Sequence, residues 1–246
     1  MKNTLLIIVA LLVCFKSQAQ LSKGRMMLSG SVNYSNNHSS RIDTGLNATQ
    51  PIDNSNSFNG ILRYGYFVTN KIMVGVYGGY SHSDYNFKSV YFDGNNYINQ
   101  TSNNMSNNFS GGIFSRYYQM LGKSRFALFG QLSVGYSAGK QEQKTTSQYP
   151  GGSLNTTNSH GDMSSITAAF NPGIVFFITK NIAIETTFGS MGFSTQRTKN
   201  YNAGGGYNET KNSTFNSNLG FNLSSLSWGV NFYFGGKKDK AETPGK

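Results

Sequence analysis

Charge, proline, cysteine and long apolar runs are all scarce in this chain. The one cysteine, Cys14, lies inside an apolar leader. Once that leader is removed, neither disulfides nor a thiolate metal site can contribute to the fold. Leu11-Leu12-Val13-Cys14 resembles a lipoprotein box, but Val13 stands where that motif wants a small residue. Beyond residue 20 no apolar run approaches the ~18 residues that a membrane-crossing helix requires, so helical spans are excluded. Charged residues make up 13% of the 246 and prolines number 4, whereas Gly (29), Phe (18) and Tyr (15) abound. So many aromatics exclude a disordered chain, and Gly, Asn and Ser between Tyr-rich runs suit short strands joined by polar turns.

The formal net charge of +11 is scattered, with a modest cluster only at Lys237, Lys238 and Lys240. That is no nucleic-acid footprint, although it suits an anionic lipopolysaccharide surface. The N-terminus explains where such a surface is met. Lys2 is followed by the apolar run Leu5–Phe15, then Lys16 and the small-x-small site Ser17-Gln18-Ala19. This reads as a secretory signal peptide over 1–19, cleaved after Ala19.

One shape recurs three times. An aromatic-rich run ends at a short polar turn, and an alternating run leaves it. Tyr66-Phe67-Val68-Thr69-Asn70-Lys71-Ile72 and Phe176-Phe177-Ile178-Thr179-Lys180-Asn181-Ile182 are near copies, and Tyr117–Phe126 is the third case. Between these turns apolar residues recur at every second position, as expected for strands with one apolar face. Eight strands are predicted, over about 25–36, 57–69, 72–84, 107–119, 125–138, 164–178, 182–194 and 221–234. Short turns fall at 69–71, 120–124 and 179–181. Long polar loops are expected at about 37–56, 85–106, 139–163 and 195–214. Within the second of these, Phe87–Phe92 and Tyr97–Ile98 suggest a protruding hairpin. Two irregularities need an explanation. Pro172 is tolerated in the sixth strand only at a bulge or register break. Met191 and Phe193 have the wrong parity for the seventh strand, and Phe215–Leu223 for the eighth, which implies a bulge near Ser224–Ser225.

Parity also sorts the functional candidates. Tyr66, Tyr117, Phe126, Phe176 and Phe234 fall on the outer face beside the short turns, as a periplasmic aromatic girdle would. Arg63, Arg116 and Glu185 fall on the inner face near the same end. A narrow interior demands partners for charges, so they are expected to share a polar network with Gln131, Asn171 and Ser133. The alternative use of these groups is a narrow ion path. His38 with Asp43, His82-Ser83-Asp84 and Ser159-His160-Gly161-Asp162 lie at the opposite rim. They are ordinary loop residues, with neither a held nucleophile nor a recurring ligand spacing, so no catalytic residue, metal or cofactor is expected; a lipid-modifying outer-membrane enzyme with a rim His/Ser site is the third reading, after the structural role and the ion path.

With the segments placed, the chain resembles the small outer-membrane barrels of the OmpA/OmpX type. The residues carrying the resemblance are Gly65-Tyr66-Phe67-Val68-Thr69, Arg116-Tyr117-Tyr118, Phe177-Ile178-Thr179-Lys180-Asn181 and the closing Phe232-Tyr233-Phe234, over about 20–236. The resemblance implies an all-β, eight-stranded antiparallel up-and-down transmembrane β-barrel, inserted by the barrel-insertion machinery among outer-membrane lipid and lipopolysaccharide. It implies no reaction. In many members an aromatic residue ends the chain; here 237–246 follow as a basic tail, expected to be periplasmic and disordered. The role expected is structural or adhesion-like, with an extracellular ligand for the loops as one possibility.

Overall fold

The computed structural model describes residues 21–40, 52–92, 97–122, 124–149, 151–201, 206–219 and 227–236. The leader and the basic tail lie outside them. Ten strands follow one another: β1 (Arg25–Ser40), β2 (Ile52–Phe67), β3 (Ile72–Phe92), β4 (Tyr97–Met120), β5 (Phe126–Gln148), β6 (Leu154–Phe177), β7 (Ile182–Thr187), β8 (Gly189–Tyr201), β9 (Tyr207–Leu219) and β10 (Ser227–Gly235). Every pairing is antiparallel. β1 through β7 and β10 pair in sequence, and β10 returns to β1, with Arg25 opposite Gly235, so the eight close into a ring. Above β7, β8 continues along β6, and β9 pairs with β8. The wall is therefore an eight-stranded up-and-down barrel whose seventh and eighth positions are each built from two segments.

The near-copied turns close in the same way. Val68 N donates to Ile72 O at 3.0 Å, and Ile178 N to Ile182 O at 2.9 Å. In each, the threonine hydroxyl accepts from two backbone amides: Thr69 Oγ1 from Lys71 and Ile72, Thr179 Oγ1 from Asn181 and Ile182. A short β-hydroxyl can satisfy amides that a two-stranded turn leaves free, which is why Thr recurs there. The middle turn uses other means, a positive φ of 61° at Gly122 and a Ser124 Oγ bond to Leu121 O.

The wall has its polarity reversed relative to a soluble protein. Leu62, Ile113 and Leu132 are each more than 60% exposed on the outer face. The buried cluster lies inside, at the short-turn end: Met27, Phe67, Met73, Phe114, Tyr118, Phe129, Val175, Phe177 and Tyr233. Glycines on the inner face make room for these rings. A Cβ on Gly173 would come within 2.6 Å of the Phe129 ring and of Thr186 O.

The parity change in the seventh position has a local cause. Gly173 stands opposite Thr187 and Phe170 opposite Met191. Asn171 and Pro172 on β6 thus face Phe188, Gly189 and Ser190, a one-residue bulge with Gly189 at φ 109°. Phe188 N donates to Pro172 O at 3.2 Å, and Pro172, which has no amide to offer, occupies the break itself. Past the break odd positions face out: Phe193 and Phe215, opposite one another, are both at least half exposed. On the other side Thr187 opposes Ser227 and Gly189 opposes Leu219. The expected bulge at Ser224–Ser225 lies outside the described residues.

The expected long loops are corrected. Strands β3 to β6 run well past the apolar part of their sequences, and Phe92 opposite Tyr97 completes the protruding hairpin. β8, which runs to Tyr201, and β9, which begins at Tyr207, together occupy most of the stretch expected as the last loop. Beyond the apolar part the strands carry polar residues on both faces, so apolar alternation disappears although the ladder continues. Cross-strand hydroxyl and amide pairs hold it instead, such as Ser137 Oγ with Ser165 Oγ at 2.8 Å and Gln141 Nε2 to Asn200 Oδ1 at 2.8 Å.

Candidate functional site

The chemically richest place in the molecule is the floor of the barrel, just above its aromatic plug. Arg116 on β4 is 1% exposed. Its Nη1 lies 2.5 Å from Glu185 Oε2 on β7, its Nε and Nη2 donate to Gln131 Oε1 on β5, and its Nη1 also donates to the Tyr118 hydroxyl at 3.1 Å. Asn231 on β10 donates to Glu185 Oε2 at 2.8 Å. The guanidinium carbon of Arg116 stands 4.2 Å from the centre of the Phe129 ring. Four strands thus converge on one ion pair. Burying such a pair is costly unless its remaining donors and acceptors are used, and here they are.

Arg63 on β2 occupies a different position. It reaches Glu185 Oε1 only at 3.9 Å and Ser31 Oγ at 3.4 Å, and its side chain keeps some exposure. Glu185 is already committed to Arg116 and Asn231, so two guanidiniums share one carboxylate. Of the residues expected in the network, Gln131 is in direct contact with Arg116. Asn171 and Ser133 stand above it. The Asn171 side chain makes no hydrogen bond among the described residues, and Ser133 Oγ donates to Ala169 O at 3.4 Å. Both line a cavity of about 370 Å³ over the ion pair, together with Arg63, Tyr77, Ser190 and Ser227.

Sequence reasoning missed Asn231, Tyr118 and Tyr233. Asn231 carried a signal, being an amide between Val230 and Phe232 on the inner parity of the last strand. The two tyrosines were hidden because each is one member of an aromatic pair whose other member faces out. Their rings, with Phe67, Phe129 and Phe177, form a continuous layer beneath the ion pair at centroid spacings of 5.4–6.3 Å.

The outer surface has two aromatic rims. At the short-turn end stand Tyr66, Tyr117, Phe126, Phe176 and Phe234, with Phe126 and Phe176 at 4.8 Å. The second rim was not anticipated: Tyr34, Phe58, Tyr80, Phe109, Tyr136, Phe193 and Phe215, in which Phe58–Tyr80 and Tyr80–Phe109 lie at 6.4 and 5.0 Å. The break at Phe188 had concealed it by shifting Phe193 out of phase.

The rim histidines remain dispersed. His38 bonds to Asn54, His82 Nδ1 to Asn107 Oδ1 at 2.8 Å, and His160 stacks on Tyr201 at 5.1 Å. Asp43 lies outside the described residues. Among the described residues no three His, Cys, Asp or Glu gather around a metal-sized space.

A closed eight-stranded ring with apolar residues outside and a buried ion pair within defines the class, a small up-and-down β-barrel. The solved structures it resembles are small outer-membrane barrel proteins. The attachment invasion locus protein Ail of Yersinia pestis is 15% identical, with 86% of this chain and 99% of that one covered and a TM-score of 0.35. OprG of Pseudomonas aeruginosa is 14% identical (88% and 98% covered, TM-score 0.37), and a major outer membrane protein of Thermus thermophilus is 9% identical (86% and 99% covered, TM-score 0.40). No protein-family profile matches the chain, and no curated protein matches it.

Proposed function

We propose that this is an integral outer-membrane protein, sealed to solutes and non-enzymatic, that acts through the sheet it raises above the membrane. The observation that carries the reading is the outer surface: a band of exposed aliphatic side chains bounded by one aromatic rim at each end. Water would penalise that band, whereas lipid stabilises it, and aromatic rings favour the two interfaces. Above the second rim the outer face turns charged, with Lys140, Asp162, Arg197, Lys199 and Glu209, as a surface leaving the hydrocarbon should. The excess of basic groups suits lipopolysaccharide phosphates as the neighbouring lipid. Adhesion-like contact is assigned to the upper sheet because its Tyr, Asn and Ser faces offer adaptable hydrogen bonding without a fixed chemistry.

The test is fractionation and heat-modifiable gel migration. A barrel in this location partitions with outer membranes and runs faster unheated than boiled. Recovery as a soluble periplasmic protein with no heat shift would refute it. The sealed floor supports a barrier over the alternative of a narrow pore, because the aromatic layer and the ion pair above it fill the lumen one over the other. Pure protein in planar bilayers is accordingly expected to pass no single-channel current.

A further inference from the structure

The inner face changes character abruptly at the floor. Above it the inward positions of β4, β5, β6 and β8 are hydroxyls, amides and glycines, such as Asn104, Ser137, Gln141, Ser165 and Asn200, with the charged residues of these strands on the outer parity. At the floor two guanidiniums meet one carboxylate. The charge in excess belongs to Arg63, since Arg116 holds Glu185 at 2.5 Å and Arg63 stands at 3.9 Å. A cation so enclosed favours a counter-anion, because its hydration is reduced and the surroundings screen it weakly. The space beside it is about 370 Å³, far more than one small ion needs. Two of the groups around that space are unspent: among the described residues the Asn171 amide has no side-chain partner and Arg63 makes only the two long contacts already given. Ser133 Oγ, which donates to Ala169 O, and Ser227 Oγ, which pairs with Thr187 Oγ1 at 2.9 Å, keep further lone pairs to offer.

We propose that this cavity binds a small hydroxylated monocarboxylate, a sugar acid in chemical class. Its carboxylate lies on the Arg63 fork, and its hydroxyls meet Asn171, Ser133, Ser190 and Ser227. Three features select this ligand. The planar guanidinium matches a carboxylate in two parallel bonds. One excess positive charge balances a monoanion, whereas a phosphate dianion would leave a new unpaired charge. Amides and hydroxyls that both donate and accept suit a ligand whose hydroxyls do the same. The polar, uncharged lumen above supplies an approach with no competing ion pair.

The site belongs to the barrel interior and does not depend on membrane location, so it is tested on the full chain in detergent micelles. Heat-modifiable migration verifies the fold of each sample. Titration calorimetry uses three probes: glucuronate, glucose with similar hydroxyls but no charge, and acetate with the charge but no hydroxyls. Glucuronate is expected to saturate one site, and glucose and acetate to bind at least about tenfold more weakly. Arg63→Gln should weaken glucuronate by a similar factor while leaving glucose unchanged, and Asn171→Ala should weaken glucuronate but not acetate. Three results would each overturn the proposal: no heat of binding from a folded sample, equal binding of glucuronate and glucose, or an Arg63→Gln protein that binds as before. Should Arg63→Gln fail to fold, the Asn171→Ala comparison decides alone.

Discussion

At the scale of the residue, the Arg116–Glu185 pair is the most consequential contact. Glu185→Gln keeps the shape but leaves the Arg116 guanidinium enclosed without its counter-charge. The expected cost is about 3–5 kcal/mol, read as a lower urea midpoint for loss of the heat-modifiable form. Replacing both partners by leucine should recover most of that loss; a double variant as unstable as the single would show that the pair stabilises outright. Thr69 and Thr179 make a second, independent case. Removing either hydroxyl strands two turn amides, so Thr69→Ala and Thr179→Ala should each cost about 1 kcal/mol and should add when combined. Parity in the sequence placed Arg63, Arg116, Gln131 and Glu185 on one face, because strand alternation is a local rule. It could not say that Arg63 would stand further from Glu185 than Arg116 does, since that is set by contacts between strands far apart in the chain.

Among the elements, strand cores were legible and strand ends were not. The aliphatic halves of β2, β3 and β5 announce themselves because one face is apolar and the other is not. The upper halves of β4, β5 and β6 are polar on both faces, so no periodicity marks them, and they read as loops. The β8–β9 hairpin belongs to this hidden class. Arg197 Nη2 lies 2.5 Å from Glu209 Oε2 across it. The bond from Arg197 is the main reason that Glu209 holds its carboxyl below the usual carboxylate range. A group with a depressed folded pKa stabilises above its unfolded pKa and ceases to do so as pH falls through the folded value. Protection of the β8–β9 amides from hydrogen exchange, taken relative to the intrinsic rate at each pH, should therefore be high near neutrality and fall at acid pH below the ordinary glutamate range. Arg197→Gln should abolish that acid step; a step that survives would assign it to another group. The effect is small, since both side chains meet solvent.

The whole molecule is one wall with two surfaces of opposite character, and its stability depends on which medium touches which surface. Leu132 lies midway between the two rims on β5. Leu132→Arg should cost about 2–4 kcal/mol in lipid, whereas Lys144→Glu, above the upper rim, should cost almost nothing. Folding yields in vesicles measure both; equal tolerance at the two positions would contradict a lipid-facing band. The interior limits size in the same way. Gly173→Ala pushes a methyl against the Phe129 ring that carries Arg116, and about 1–3 kcal/mol of strain is expected at the floor.

A wall whose residues alternate between two media is a text read in a frame of two. The break at Phe188–Ser190 is a frameshift in that text: before it even numbers face out, after it odd numbers do. Were the strand to run on in its first frame with all its residues kept, Phe193 would turn into the lumen and Gln196 out towards lipid. Deleting Ser190 takes out the extra residue and leaves both faces as they are, so insertion should survive it. Deleting Ser194, beyond the break, would instead turn Thr195 in and Gln196 out and should damage insertion more.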